Sequence, residues 1–406
     1  MSLFGGNHEH QRYGVILDIG SASVLAAIIF SDPKNSSPSI IWSHREKAPL
    51  KNIDSLEQSA KAVTTALVNC SMILETEGRK ALSEFDKSAK LTELQCTVSA
   101  PWSYTVTKSI NYKQEEAFMI TEELIEELEE TIEKKVREEL TQNKKLSELG
   151  LDLVSELTMG ITANGYQIAN PAGNRSKEVS IYQASTVIQQ YLIDAIDELK
   201  DKLFPNTEVS KSSFITALYL IVKEVSQHTK EACLVDITYE ATEIGIVRDG
   251  TLTYCTHIPF GSYTIAREIS EITNVPLAEA FGYLHTDEPM SFLGKLPDKQ
   301  KEEVKIMLKK YTDKVSALLH ETGDALSIPG NIFVHADLSG EYFFKEMIRD
   351  AAKSAIKTDP HVTPISSEIL GRYQEEDQKN SQKDTALLLS AQFFHIKPAK
   401  DSFEYM

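Results

Sequence analysis

Two apolar, β-branched runs open the chain, Tyr13–Asp18 (YGVILD) and Val24–Phe30 (VLAAIIF), with the segment Ile19–Ser23 between them. Apolar runs of this length around a short turn predict a β-hairpin. After the polar stretch SDPKNSSP, Ile40–His44 predicts a third strand. From Ser55 to Leu74 the apolar residues Leu56, Ala60, Val63, Leu67 and Cys70 recur at helical spacing, so an amphipathic helix is expected. Cys96–Ser99 and Tyr104–Tyr112 predict strands. Thr121 is a good N-cap, with Glu122 and Glu123 placed favourably in the first turn of a helix. Across Thr121–Leu149, Leu124, Leu128, Ile132, Val136 and Leu140 repeat every four residues, which predicts one buried stripe on a charged helix that covers one side of a small sheet. Ser155–Ala163, Gln167–Ile168 and Val179–Ala184 then predict strands, and helices follow around Val187–Leu203 and Ser212–Gln227.

A second start appears at Ala232. ACLVDI and TEIGIVRDGTLTYCTHIPF predict strand, turn, strand, an Asp249-Gly250 hairpin turn and another strand. The opening pattern thus recurs: an apolar strand ending in Asp, a turn, then a second apolar strand. His285–Lys305 predicts a polar join, Val304–Leu326 a helix, Asn331–Ala336 a buried strand, and Gly340–Lys357 another helix. Tyr373–Lys383 predicts a solvated connection before a last helix at Asp384–Phe394.

Composition narrows the partners. With 406 residues, 41% of them apolar and 25% charged, the chain has material for two or three globular domains. A net charge of −18 argues against nucleic acid or anionic lipid as the main partner. Cys70, Cys96, Cys233 and Cys255 form no CxxC, and the ten histidines form no HExxH, so zinc and a disulfide framework are not expected. MSLFGGNHEHQRY lacks the apolar core of a signal peptide, and runs such as VLAAIIF and ALLLSAQFFHI are short of a membrane span. A cytoplasmic protein is expected.

A strand–Asp–turn–strand unit used twice in a chain of this length is the pattern of the actin-like split domain. The sequence resembles the bacterial actin-like proteins related to the division protein FtsA and the type IV pilus protein PilM, from Tyr13 to about Phe394. LDIGSASV resembles the first phosphate loop of that family, and LVDITYEATEIGIVRDGTLTYCTHIPFGSYTIAREI its second, with the Ile-Pro-x-Gly segment and the helix after it. TVSAPWSYTV with ITEELIEELEE, and GITANGYQIANPAGNRSKEVSIYQ, resemble the two ends of the inserted subdomain that marks this branch. The resemblance implies an α/β, actin-like (ribonuclease H-like) two-domain fold with a small inserted α/β subdomain of SHS2-like type. The expected division is residues 11–90 and 178–230 for the first half, 91–177 for the insert, 231–372 for the second half, and 373–406 for a C-terminal helix and tail.

The resemblance also implies a nucleotide site, ATP with Mg²⁺, between two turns whose backbone amides cradle phosphate. Carried over residue by residue, the cofactor-binding positions are Asp18, Gly20, Ser21, Ala22, Ser23, Asp236, Thr238, Thr242 and Gly261, with Asp18 and Asp236 facing the metal. The second turn departs from the pattern, because Thr238, Tyr239 and Glu240 stand where the family has glycines. A left-handed backbone there would cost about 1–2 kcal/mol per non-glycine residue, and an inward Glu240 would repel phosphate. His335-Ala336-Asp337 likewise replaces a Gly-Gly turn and is expected to crowd the adenosine. These departures predict weakened or lost nucleotide binding, with partial recovery when Thr238, Tyr239 and Glu240 are replaced by glycine.

The resulting expectation is a cytosolic actin-like scaffold of a membrane-associated assembly, either a type IV pilus-like platform or the cell-division machinery, and at most a weak ATPase. Its expected partner is the cytosolic tail of a membrane protein, with self-association as a second possibility, no nucleic acid and no direct membrane insertion. The ending IKPAKDSFEYM is too short for an amphipathic membrane helix and has no excess of basic residues, which favours the pilus-type reading. The alternative is a nucleotide-dependent actin-like ATPase of the divisome that polymerises with ATP. A sugar or acetate kinase is disfavoured, since no dedicated substrate domain is visible.

Overall fold

Two five-stranded sheets repeat one plan. In the computed structural model, which describes residues 11–48, 56–142, 149–226, 229–286, 288, 290–323, 328–356, 359–373 and 384–396, the first sheet contains β1 (Arg12–Ile19), β2 (Ser23–Ser31), β3 (Ser39–Lys47), β4 (Glu93–Val98) and β9 (Glu208–Ser213). Its order is β3-β2-β1-β4-β9. The second contains β10 (Ala232–Ile237), β11 (Thr242–Arg248), β12 (Thr251–Ile258), β13 (Asn331–Ala336) and β14 (His361–Pro364), in the order β12-β11-β10-β13-β14. In each, an antiparallel meander is extended by two parallel strands. The central strands carry unbroken apolar runs because both faces of each sheet are covered.

Helices complete the two halves. In the first, α1 (Leu56–Ile73), a single π-helical turn (Leu74–Gly78), α2 (Arg79–Phe85) and α4 (Gln190–Leu203) bury Val63, Leu67, Leu192 and Ile196 against β1, β2 and β4. In the second, α6 (Ser262–Thr273), α7 (Leu277–Tyr283), α8 (Asp298–Glu321) and α9 (Glu341–Ile356) form a separate core around Ile265, Tyr311 and Phe344. Between the sheets lie α5 (Phe214–Val225) and α11 (Thr385–Ile396), with the short α10 (Ile365–Ile369) beside them, in a core that mixes residues from both halves. On α11 the side chains of Leu387, Leu388, Leu389, Phe393 and Phe394 are all buried, as expected for a helix apolar on every side. At about 1.5–3 kcal/mol per large apolar side chain removed from water, this helix is a strong link between the halves. Phe394 lies so close to β1 that a Cβ on Gly14 would meet its ring at 2.3 Å, so the position requires glycine.

The third sheet belongs to the insert: β5 (Ser103–Met119), β6 (Leu151–Ala163), β7 (Tyr166–Gln167) and β8 (Arg175–Gln189), ordered β5-β8-β6-β7. Its charged helix α3 (Glu122–Gln142) buries Ile125, Leu128, Ile132, Val136 and Leu140 on one face of that sheet. The expected stripe is present, with Ile125 in the fully buried place given to Leu124. The insert does more than project from the first half. Thr107 Oγ1 donates to the Thr253 carbonyl of β12 at 2.7 Å, and the Tyr104 and His257 rings lie 4.8 Å apart, so the insert also touches the second half.

Several expected boundaries move. β4, within the stretch read as insert, pairs with β1 and β9 of the first sheet, so the insert's own sheet runs from Ser103 to Gln189. The segment Val187–Gln189, expected to start a helix, instead prolongs β8 because its residues alternate across two covered faces. β9 and β14 are strands that the pattern missed. The polar join ends early, as α8 begins at Asp298. The connection Tyr373–Lys383 falls, from residue 374 onward, outside the described residues, as do residues 143–148 and the tail after Ile396.

Candidate functional site

The two turns of the repeated unit meet at the centre of the molecule, and their backbones match. Gly20 N–H donates to Ser23 O at 2.9 Å, and Thr238 N–H donates to Ala241 O at 2.9 Å. Asp18 and Asp236 are each the penultimate residue of their strand. Each lies beside a residue of the next parallel strand, Asp18 next to Thr97 and Asp236 next to His335. Asp18 Oδ1 accepts the Thr97 hydroxyl at 3.0 Å, and Asp236 Oδ1 is 2.6 Å from His335 Nδ1.

The turns are bonded to one another. Ser21 Oγ donates to Thr238 Oγ1 at 2.9 Å and accepts the Glu240 N–H at 2.9 Å. From the β4–β5 connection, Trp102 Nε1 donates to Gly20 O at 3.1 Å. Behind the second turn, a Cβ on Gly261 would stand 2.3 Å from Thr238 O, so only glycine allows the start of α6 to approach this closely. Ser262 N–H and Tyr263 N–H donate to Thr238 O and Tyr239 O at 3.0 and 2.8 Å. Thr242 Oγ1 donates to Phe260 O at 2.7 Å and is a structural bond within the second half. Ala22 is buried among residues of the second-half core.

Two expectations about the second turn are corrected. Among the described non-glycine residues, a positive φ occurs at Asn164, Asp249, Asn274, Met290 and Leu338, and not at Thr238, Tyr239 or Glu240. The turn closes without left-handed backbone, so the missing glycines impose no such strain; Gly20 likewise has no positive φ. Glu240 does not point at its neighbour turn. Its carboxylate forms a two-pronged pair with Arg267 at 2.8 and 2.7 Å. Tyr239 is buried and stacks on Phe281, ring centroids 5.4 Å apart and planes 11° apart, with Lys47 Nζ 5.7 Å above the Phe281 ring from the other half.

Two ion pairs offset part of the charge around the turns, while Asp236 Oδ2 and Asp337 Oδ2 are buried without a hydrogen-bond partner among the described residues. Arg45 of β3 donates from Nε and Nη2 to both oxygens of Asp384, at 2.7 and 2.9 Å, and from Nη1 to Ser23 Oγ at 2.7 Å. Both side chains of the ion pair are 9% exposed. Asp384 also accepts the Leu387 N–H at 3.3 Å and so caps α11. Burial raises the Asp18 carboxyl to about 6, against the opposing pull of Arg45 and the Thr97 hydroxyl. Burial likewise lifts Asp337 to about 7, with Arg45 and His335 pulling the other way. For His335, burial works against the imidazolium, but the hydrogen bond and charge of Asp236 outweigh it and raise the ring to about 9. Glu243, opposite Asp236 on β11, is pushed well above the carboxylate range by burial and by Asp236.

Arg45, Thr97, Trp102, and Asp384 were absent from the sequence-derived site. The Arg45–Asp384 contact joins residues 339 positions apart. Its only local signals are a lone arginine inside a strand and an aspartate before ALLLSAQFF, which reads simply as a helix cap.

Known proteins place the fold. No family model and no curated protein match the sequence. Among solved structures, the chain is similar to one described as the PilM-PilN type IV pilus biogenesis complex, with a TM-score of 0.61 at 11% identity, over 95% of this chain and 99% of the other. The ethanolamine utilization protein EutJ from Carboxydothermus hydrogenoformans also matches, at TM-score 0.45 and 10% identity over 96% and 92% of the two chains. A Bacteroides thetaiotaomicron protein with an actin-like ATPase fold and unknown function matches at TM-score 0.39 and 11% identity, over 93% and 95%. The chain has the actin-like ATPase fold. Among the described residues no helix is long and apolar enough to cross a membrane.

That fold implies Mg²⁺-ATP between the turns, and the residues present do not fit it. A phosphate bridging both turns needs two hydrogen bonds and its own width, about 8 Å in all. The turn hydroxyls are 2.9 Å apart, and the Ser21 hydroxyl and the Glu240 amide between them are satisfied within the protein. His335 occupies Asp236 Oδ1, and no group of three or more His, Cys, Asp or Glu among the described residues is arranged to hold a metal.

Proposed function

We propose that this protein is a non-catalytic actin-like scaffold of a membrane-associated assembly, held closed by its own side chains instead of by nucleotide. The observation that carries the reading is the direct Ser21–Thr238 bond between the two turns. A phosphate-binding cleft needs those hydroxyls free and apart. Asp18 and Asp236, the candidate metal residues, serve in this reading as acceptors for Thr97 and His335. Gly20, Ser21, Ala22, Ser23 and Thr238 form the joint in this reading, while Thr242 and Gly261 brace the second turn from within its own half.

The scaffold is cytoplasmic in this reading and reaches the inner face of the membrane through a partner, the cytosolic tail of a membrane protein. Similarity to a structure described as a PilM-PilN complex supports a pilus-type assembly over cell division. The tail binds in a groove between the insert and the first half. β6 and β8 support this placement, because they are the strands of the insert sheet that run beside β9 of the first half. The test is membrane recruitment of the full chain and of a chain lacking residues 103–189. Loss of recruitment in the deleted chain, with the remainder folded by circular dichroism, supports the reading; undiminished recruitment removes it.

A further inference from the structure

The most unusual feature of the joint is a buried arginine among carboxylates from three parts of the chain. Arg45 comes from the third strand of the first sheet. Its guanidinium is bonded to Ser23, which ends the first turn, and to both oxygens of Asp384, which starts the helix between the halves. Asp18 of the first turn and Asp337, which follows β13 of the second sheet, both feel its charge. Asp337 also reaches the first turn: a Cβ built on Gly20 would lie 4.0 Å from its Oδ2. Carboxylates gathered in a buried place repel one another unless a cation lies among them. Two cations of the chain lie there: the His335 ring, bonded to Asp236, and Arg45, bonded to Asp384 and Ser23.

We propose that Arg45 is a built-in cation that takes the place of a bound metal in this cleft, neutralising Asp18, Asp337 and Asp384 and thereby keeping the two turns in contact. The inference rests on the scaffold reading and adds to it a cause for closure. Arginine suits the task because its planar fork meets Asp384 with two parallel hydrogen bonds and leaves a third donor for Ser23. It also holds its charge at any pH the fold survives. A lysine could supply the charge but not the three directions.

The test uses the full chain and hydrogen exchange at the amides of residues 18–24 and 236–242. In Arg45→Ala, exchange at both turns should rise about tenfold or more, with the amides of α3 in the insert unchanged. Millimolar guanidinium should restore protection to Arg45→Ala, whereas millimolar urea, planar and similar in size but neutral, should not. Unchanged protection in Arg45→Ala overturns the proposal. So does failure of guanidinium to restore it, or equal restoration by urea, since the cation would then be irrelevant. Should Arg45→Ala fail to fold, Asp384→Asn is read in the same way and must raise exchange at residues 18–24. Titration of the wild-type chain with Mg²⁺-ATP separates the two claims: tight binding defeats the scaffold reading, while no binding together with unchanged exchange in Arg45→Ala defeats this inference alone.

Discussion

The two hairpin turns share a backbone and differ in the side chains that reach them from the neighbouring parallel strand. Both close with a 2.9 Å amide-to-carbonyl bond, and both follow a strand whose penultimate residue is aspartate. Beside Asp18 stands the neutral hydroxyl of Thr97, and its compensating charge, Arg45, arrives from an antiparallel edge strand. Beside Asp236 stands His335, which supplies hydrogen bond and charge together at 2.6 Å. The same scaffold position has been neutralised by two routes, one long-range and one local. In the proposed reading, an actin-like frame keeps its acidic turns closed with a cation contributed by each half.

The largest effect is expected where the long-range route is cut. Asp384→Ala leaves Arg45 buried without its partner and removes the cap of α11, so unfolding free energy should fall by about 3–5 kcal/mol in denaturant titrations. Cutting the local route should cost somewhat less. His335→Asn removes a bond charged on both sides and should cost about 3 kcal/mol, whereas the equivalent change in the first half, Thr97→Val, removes a neutral donor from a carboxylate and should cost about 1.5 kcal/mol. Equal losses for His335→Asn and Thr97→Val would erase the distinction between the halves.

A pH series sharpens the same contrast. His335 is raised to about 9 in the folded chain against an ordinary value of 6.5, so the folded state holds a proton that the unfolded chain gives up. Its contribution is complete below about 6.5 and is lost as pH rises through about 9. Asp18 and Asp337, raised to about 6 and 7, act with the same sign at lower pH: stability is present below the ordinary value near 3.8 and falls as pH passes 6 and then 7. Burial is the largest cause for all three, and the groups that act beside it are Asp236, Glu341, Arg45, Thr97 and Asp384, together with His335, Asp18 and Asp337 on one another. Melting temperature should therefore decline from pH 6.5 to 9, and His335→Asn should flatten the upper part of that slope while Thr97→Val leaves it unchanged.

Much of this plan could be read in the sequence, for physical reasons that also mark where reading stopped. Tyr13–Asp18, Val24–Phe30 and Ala232–Ile237 announced themselves because strands buried on both faces need uninterrupted apolar residues. The stripe of α3 was visible because a helix covering a sheet repeats its contacts every three or four residues. β9, with the polar sequence EVSKSS, and the four-residue β14 lie at sheet edges, where pattern is weakest. At the site, the pair of aspartates and the small residues of the first turn were legible as local motif. The state of the joint was not, because it depends on Arg45 meeting Asp384 and Ser21 meeting Thr238 across 339 and 217 positions. The glycine-free second turn predicts backbone strain on sequence alone, yet it closes without positive φ and that strain is absent.

That correction gives the smallest expected effect. Replacing Thr238, Tyr239 and Glu240 together with glycine had suggested partial recovery of nucleotide binding. With no backbone strain to relieve, any recovery in the triple variant would come from loss of the Ser21–Thr238 bond, and with the Arg45–Asp384 pair still in place the affinity for Mg²⁺-ATP by calorimetry should stay weaker than millimolar. Recovery of sub-millimolar affinity would show that the second turn by itself closes the site.

The central claim, that the protein's own side chains have replaced the nucleotide, is tested most directly by calorimetric titration of the unmodified chain with Mg²⁺-ATP. The account predicts no saturable heat at sub-millimolar nucleotide, because the hydroxyls of Ser21 and Thr238 are already bonded to each other. Binding in the micromolar range would contradict it, since the turns would have to part and admit a phosphate.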